Sequence, residues 1–145
     1  MLSSITDIHL VSEAIRDAVA PVFLLTGIGS ILNVMVGRLG RAIDRARIVN
    51  SLSPATRKEH KHELNVTVRR ITWLRISIGF ATLAALLVCI SIASLFISVE
   101  SGLPMAHIVL LSFLSSMGAI IIALLCFLRE ILLTTNEMIV SSYLD

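Results

Sequence analysis

The chain has 145 residues, of which 56% are hydrophobic, with a formal net charge of +2 and a mean hydropathy of +0.91. Soluble domains usually contain about 45–50% apolar residues, so this composition excludes a soluble globular protein. Three runs without Lys, Arg, Asp or Glu cover residues 18–37, 76–99 and 103–128 and contain 20, 24 and 26 residues. Because about 20 apolar helical residues cross a hydrocarbon core, we predict an all-α integral membrane protein with three transmembrane helices.

The segment before the first span, residues 4–17, has apolar side chains at helical spacing and charged side chains on its other faces. This pattern predicts a short helix that lies in the outer membrane interface. Pro21 follows within the first turns of the span, where a missing backbone N–H disturbs the helix least. The first seventeen residues contain three acids and no apolar core of a signal peptide. We therefore expect the first span to act as its own insertion signal.

The first span is the most polar of the three, and its small and polar side chains form a stripe. At about 100° per residue, the stripe positions fall within an arc of about 80° on a helix. They are Thr26, Ser30, Asn33, Gly37 and Arg41. A small-xxx-Asn-xxx-small pattern overlaps the stripe at Gly29, Asn33 and Gly37. Two interpretations follow, which are tight packing against another helix and the lining of a wet path.

The region between the first two spans, residues 38–75, contains ten of the twelve Lys and Arg residues and three acids, a local charge of +7. Basic residues in short loops stay on the cytoplasmic side of a membrane. We therefore predict an outside amino terminus, an inside carboxyl terminus and a cytoplasmic tail over residues 129–145. The whole chain, residues 1–145, is predicted to be a single membrane domain.

Residues 38–75 are predicted to form a cytoplasmic helical hairpin. The helical pattern continues past residue 37, and Ser53 and Pro54 provide an N-cap and a first helical position for a second arm. The inward-facing side chains of that arm are predicted to be Leu64, Val68 and Ile71.

Six arginines of this region are candidates for contact with anions. They are Arg38, Arg41, Arg45, Arg69, Arg70 and Arg75. One interpretation is a basic ring at the mouth of a pore, and another is contact with anionic lipid head groups. The positive-inside rule alone also requires basic residues here, so their number does not decide between these roles.

The second and third spans each carry a row of small residues that predicts a packing face. In the second span the row is Ser77, Ala81, Ala84, Ser91 and Ser98, and in the third it is Ser112, Ser115, Ala119, Ala123 and Cys126. Neither span contains an ionisable Lys, Arg, Asp or Glu residue, which argues against proton-driven transport.

Other classes of function have little support in the sequence. The His and Glu residues between positions 59 and 63 offer at best one His and one acid on each helix face, too few for a closed zinc site. No catalytic motif is present, so we expect neither an enzyme nor a cofactor. The basic region lacks interleaved aromatic residues, so we expect no nucleic acid partner.

Six short motifs are similar to those of an uncharacterised family of small three-span bacterial membrane proteins, classed as a domain of unknown function. The motifs are PVFLLTGIG at 21–29, LNV at 32–34, RLGR at 38–41, DRAR at 44–47, RR at 69–70 and FLRE at 127–130. The resemblance extends over nearly the whole chain. It implies a bacterial inner (plasma) membrane location and three spans, but no activity.

Three helices are too few to enclose a pathway, so the stripe predicts a homo-oligomer with the first span nearest the symmetry axis. Two functions remain open. The first is a passive pore or ion channel whose arginine-rich cytoplasmic vestibule favours anions. The second is a non-conducting structural or accessory protein that recruits a cytoplasmic partner through the hairpin. On either hypothesis, the bilayer with its anionic head groups is a partner.

Overall fold

A computed structural model of the chain describes the backbone of residues 2–51, 61–101 and 105–142. It describes the side chains of residue 9 and of residues 11–51, 65–99, 101 and 105–133. The described residues form three helices, α1 (Leu2–Ser51), α2 (Lys61–Ser101) and α3 (Ala106–Ser142). Each helix contains a stretch long and apolar enough to cross a membrane, within Val11–Ser51, Asn65–Val99 and Ala106–Leu133. The prediction of an all-α chain with three such helices is confirmed.

Helix α1 joins three predicted segments without interruption. The segment 4–17, the first span and the first arm of the predicted hairpin all belong to it. Pro21 lies inside the helix, which continues on both sides of it. Residues 61–75 of the second predicted arm are the first part of α2. The predicted N-cap and first helical position of that arm, Ser53 and Pro54, lie outside the described residues.

The buried side chains of the helices recur at intervals of seven residues. In α1 they include Ile28, Met35, Ala42 and Val49, and in α2 one row is Thr67, Leu74, Ala81 and Val88. In α3 one row is Ser116, Ala123 and Glu130. A seven-residue period keeps one seam of a helix turned toward its neighbours. The exposed faces carry large Leu, Ile, Val and Phe side chains, as expected for surfaces in contact with lipid.

The helices are divided between two compact units. The first unit contains α1 up to Ser30 together with Ala81–Ile120. Its core consists mainly of small side chains, among them Ala14, Ala84 and Ser112. The Ser91 hydroxyl donates a hydrogen bond of 3.3 Å to the carbonyl oxygen of Val109, which links α2 to α3 in this unit.

The second unit contains Ile31–Phe80 and the part of α3 that begins at Ile121. Ser77 is completely buried in its core and joins all three helices. Its hydroxyl donates a 2.6 Å hydrogen bond to the carbonyl oxygen of Ala123 and contacts the sulfur of Met35 at 3.3 Å. Small side chains therefore bring the backbones of this unit close enough for direct interhelical hydrogen bonding.

The predicted packing faces of α2 and α3 agree with the structure at most positions. Buried members of the predicted rows are Ser77, Ala81, Ala84, Ser91, Ser112, Ala119 and Ala123, while Ser98 and Cys126 are half-buried. Ser115 is exposed, and its neighbour Ser116 is completely buried instead. The prediction for Ser115 is wrong because the seven-residue row of α3 passes through position 116.

The predicted seam of the second arm also needs correction. Val68 is 51% exposed, whereas Thr67 and Leu74 are buried and Ile71 is half-buried. The prediction that Val68 faces inward is wrong because the inward row of α2 runs through 67, 74, 81 and 88. The side chain of Leu64 lies outside the described residues.

Replacement of Leu74 by alanine should destabilise the protein by about 2–5 kcal/mol, because it leaves a cavity at a completely buried position. The matched replacement Val68→Ala should change the stability by less than about 0.5 kcal/mol, because Val68 is exposed. Thermal unfolding in one detergent, followed by circular dichroism, compares the two variants. Equal losses of stability would show that this assignment of the inward face is wrong.

Candidate functional site

Glu130 is the only charged residue in the buried class among those that the structure describes, and its side chain is 0% exposed. Helix α3 brings it inward because Ser116, Ala123 and Glu130 lie seven residues apart on the same face. A carboxylate taken out of water costs several kcal/mol unless positive charges and hydrogen bonds compensate it. Its surroundings in the second unit must therefore supply both.

Two arginines compensate the Glu130 carboxylate, one from α1 and one from α2. Arg38 Nη2 lies 3.0 Å from Oε2 and 3.4 Å from Oε1. Arg70 donates to Oε1 from Nη2 at 3.1 Å and from Nε at 3.2 Å. Both arginine side chains are 27% exposed. The cluster thus joins the three helices of the second unit through one carboxylate and keeps two guanidinium groups close together.

A cavity of about 270 Å³ lies beside this ion cluster. Its lining consists of Arg38, Arg41, Ala42, Arg45, Thr67 and Arg70. The Nε atom of Arg38 is buried and has no hydrogen-bond partner among the described residues. The ring of Phe127 lies 5.5 Å from the guanidinium carbon of Arg38, a distance typical of a cation–π contact. The cavity is therefore lined by basic side chains, and the guanidinium of Arg38 in its lining is held by contacts with Glu130 and Phe127.

The structure brings together four of the six arginines that the sequence singles out. Arg38, Arg41, Arg45 and Arg70 share the cavity. Arg69 and Arg75 are exposed and do not line it. A further arginine, Arg129, lies 5.2 Å from the ring of Trp73.

The polar stripe of α1 is exposed on the single chain. Its members Thr26, Ser30, Asn33, Gly37 and Arg41 are all exposed, as is Gly29. The hydroxyl groups of Thr26 and Ser30 donate to carbonyl oxygens four residues earlier in the helix, at 3.2 and 3.1 Å. A side chain added at Gly29 would meet no neighbouring atom within 4 Å of its Cβ. The described part of the chain therefore does not use the stripe for its own packing.

Glu130 was not among the predicted site residues, because it was assigned to the tail over residues 129–145. The predicted third span ended at Leu128, before the first charged residue, whereas α3 continues to Ser142. Two signals could have identified Glu130. The seven-residue spacing from Ser116 and Ala123 places it on the packing face, and three apolar residues follow it at 131–133.

No cluster of three or more potential metal ligands occurs among the described residues. The His and Glu residues between positions 59 and 63 lie outside them. Cys89 and Cys126 are free thiols, the first exposed and the second half-buried.

Three helices long and apolar enough to span a bilayer define a multi-pass membrane protein. The chain belongs to the family described as Protein of unknown function (DUF2721), whose model matches residues 18–139. The resemblance noted from the sequence is thereby confirmed. The matched range includes the polar stripe and the Arg38–Glu130–Arg70 cluster. No curated protein and no solved structure matches the chain.

Replacement of Glu130 by alanine should lower the stability by about 3 kcal/mol, because two partly buried guanidinium groups lose their counter-charge. Asp44→Ala is the matched control, since Asp44 is exposed and forms no ion pair among the described residues. The triple variant Arg38→Met, Arg70→Met, Glu130→Leu should recover most of the loss, because apolar side chains can replace a buried ion cluster. Thermal unfolding of the four proteins measures these differences, and a Glu130→Ala variant as stable as Asp44→Ala would contradict the role of the cluster.

Proposed function

We propose that the protein is a homo-oligomer in which the α1 helices meet along the polar stripe and line a passive pore. The observation that carries this proposal is the exposure of the whole stripe on the single chain. Asn33 has no side-chain hydrogen bond to any described residue. A polar amide that faces lipid without a partner is unfavourable, so either a neighbouring protomer or water must solvate it.

In a ring of protomers, the stripe contacts both a neighbouring α1 helix and the water of the pore. Closed cyclic symmetry repeats one helix around the axis, and small residues such as Gly29 and Gly37 allow a close approach. Symmetry also repeats Arg41, which is exposed at the end of the stripe and has no ion pair with a described residue. Rings of arginine favour anions over cations, so the proposed pore prefers anions.

The proposed orientation follows from charge. The basic residues of 38–75 stay on the cytoplasmic side of a bacterial inner membrane, with the amino terminus outside and the carboxyl terminus inside. The arginine cavity then lies at the cytoplasmic end of the spans. Its position at that end makes the proposed pore asymmetric, with a positive vestibule on one side only.

A second candidate is a non-conducting accessory protein that recruits a cytoplasmic partner through the predicted hairpin. Exposed apolar side chains in both arms favour it, namely Ile48 at 57% and Val68 at 51% exposure. Both lie outside the uncharged runs 18–37 and 76–99, and each has an arginine as its neighbour in the sequence, Arg47 and Arg69. Exposed apolar residues flanked by charge are typical of protein docking surfaces.

Protein solubilised in mild detergent should have a mass that is a multiple of 15.8 kDa when measured by light scattering. Gly29→Leu should reduce it to the monomer, because a large side chain blocks close contact between α1 helices. Gly79→Leu is the matched control: at both glycines an added Cβ meets no neighbouring atom within 4 Å, but Gly79 lies off the stripe. A monomeric unmodified protein in detergents and in nanodiscs would contradict the proposal.

A water-filled pore should make cysteines at Ser30, Asn33 and Gly37 reactive toward hydrophilic thiol reagents, after Cys89 and Cys126 are replaced by alanine. A cysteine at Leu125, which is exposed on α3, should stay unreactive in lipid. A negatively charged reagent should modify the Asn33→Cys protein faster than a positively charged one, and Arg41→Glu should reverse this order.

Protection of all three stripe cysteines in the assembled protein would identify the stripe as a dry interface. That result would remove the pore and leave the accessory function as the better proposal. Reaction with both reagents at equal rates would retain the pore and contradict its preference for anions.

A further inference from the structure

We propose that the arginine cavity of the second unit binds a phosphate group, with Arg38, Arg41 and Arg70 as ligands and Glu130 as a positioning residue. The shared chemistry is a phosphate monoester or diester, which either a phospholipid head group or a free phosphate can present. All these residues belong to one chain, so the site does not depend on the proposed pore or on oligomerisation.

The charge in the cavity is not balanced by the carboxylate that organises it. Arg38, Arg41 and Arg70 bring three positive charges and Glu130 brings one negative charge, which leaves two positive charges even before Arg45, the fourth arginine of the lining, is counted. Arg41 has no ion pair with any described residue. Like charges this close repel one another, and a dianionic or monoanionic oxyanion offsets that repulsion.

Hydrogen-bond donors also remain beside those that contact Glu130. The carboxylate contacts Nη2 of Arg38 and both Nη2 and Nε of Arg70, whereas a guanidinium has five N–H donors. The Nε of Arg38 is buried and lacks an acceptor among the described residues. A buried N–H without an acceptor is unfavourable, and an oxyanion in the cavity supplies the missing acceptor.

Size and geometry indicate the class of anion. A cavity of about 270 Å³ is far larger than a monatomic ion needs. The planar guanidinium fork matches the oxygen spacing of phosphate and carboxylate. Because α1 and α2 present arginines from two sides, a tetrahedral anion with several oxygens can contact both helices at once.

The position of the cavity along the helices matches the depth of lipid head groups. Arg38 is the first residue after the uncharged run 18–37, and Arg70 lies six residues before the run 76–99. Basic pockets between helices at this level are suited to anionic head groups. This placement favours a lipid head group as the source of the phosphate. Experiment distinguishes a head group from free phosphate.

Glu130 acts on the site through Arg38 and Arg70 rather than on the anion. Its carboxylate holds one edge of each guanidinium, so both are ordered before the anion arrives. Ordering in advance reduces the entropy lost on binding. Whether Glu130→Gln strengthens or weakens anion binding therefore tests the positioning role. Added positive charge alone would tighten anion binding, whereas loss of positioning weakens it and lowers selectivity for phosphate over chloride.

The lipid arm of the test measures retention of phosphatidylglycerol and phosphatidylcholine by native mass spectrometry of the detergent-solubilised protein. The free arm measures binding of inorganic phosphate, with chloride as competitor, by isothermal titration calorimetry. We expect Arg41→Gln to weaken binding about tenfold in whichever of the two measurements detects binding, because one charge-assisted contact is lost. Arg75→Gln, an exposed arginine outside the cavity, should bind as the unmodified protein does.

If the protein retains phosphatidylglycerol and inorganic phosphate does not displace it, the site binds a lipid head group. If calorimetry detects binding of inorganic phosphate, the site binds a soluble phosphate. The proposal is overturned if neither measurement detects binding, or if Arg41→Gln and Arg75→Gln weaken binding equally. Glu130→Gln, confirmed as folded by circular dichroism, should lower the phosphate-to-chloride selectivity. The monomeric Gly29→Leu variant should bind normally, which separates failure of this site from failure of the pore.

Discussion

The ion cluster of Arg38, Glu130 and Arg70 is the constraint on which the second unit depends. One completely buried carboxylate joins a residue of α1 to a residue of α2 from its place on α3. Buried ion pairs contribute little net stability, but they strongly penalise arrangements in which one charge loses its partner. A rotation of α3 that moved Glu130 out of this face would leave a charge in apolar surroundings. The cluster therefore selects one register of the three helices.

Such a selection matters because much of the remaining packing surface consists of small side chains. Those of the second unit include Ala42, Ser77 and Ala123. Small side chains permit a close approach without specifying which residues meet. The hydrogen bonds of Ser77 add some direction, but a hydroxyl can find another carbonyl one turn away. The Glu130 carboxylate is more directional, because it contacts one arginine from each of the two other helices at the same time.

The number of spanning helices was predictable because uncharged runs of 20 or more residues have one stable form in a bilayer. Their lengths were not, because all three helices continue beyond the uncharged runs into charged segments. The face that each helix turns inward was only partly predictable. Rows of small residues identified Ala81 and Ala119, but adjacent serines at 115 and 116 could not be distinguished by size. Glu130 escaped prediction because hydropathy counts a charged residue against a span, and only tertiary pairing with two arginines makes it part of the core.

The positive-inside rule explains why arginines occur between the first two spans, but not where they lie. Any placement on the exposed faces would satisfy that rule, as Arg69 and Arg75 do. Four other arginines instead line one cavity, and two of them are held there by a carboxylate that costs free energy to bury. Topology alone gives no reason for this arrangement. A site that concentrates guanidinium groups and orders them in advance is what recognition of an anion requires, whether the anion stays bound or passes through.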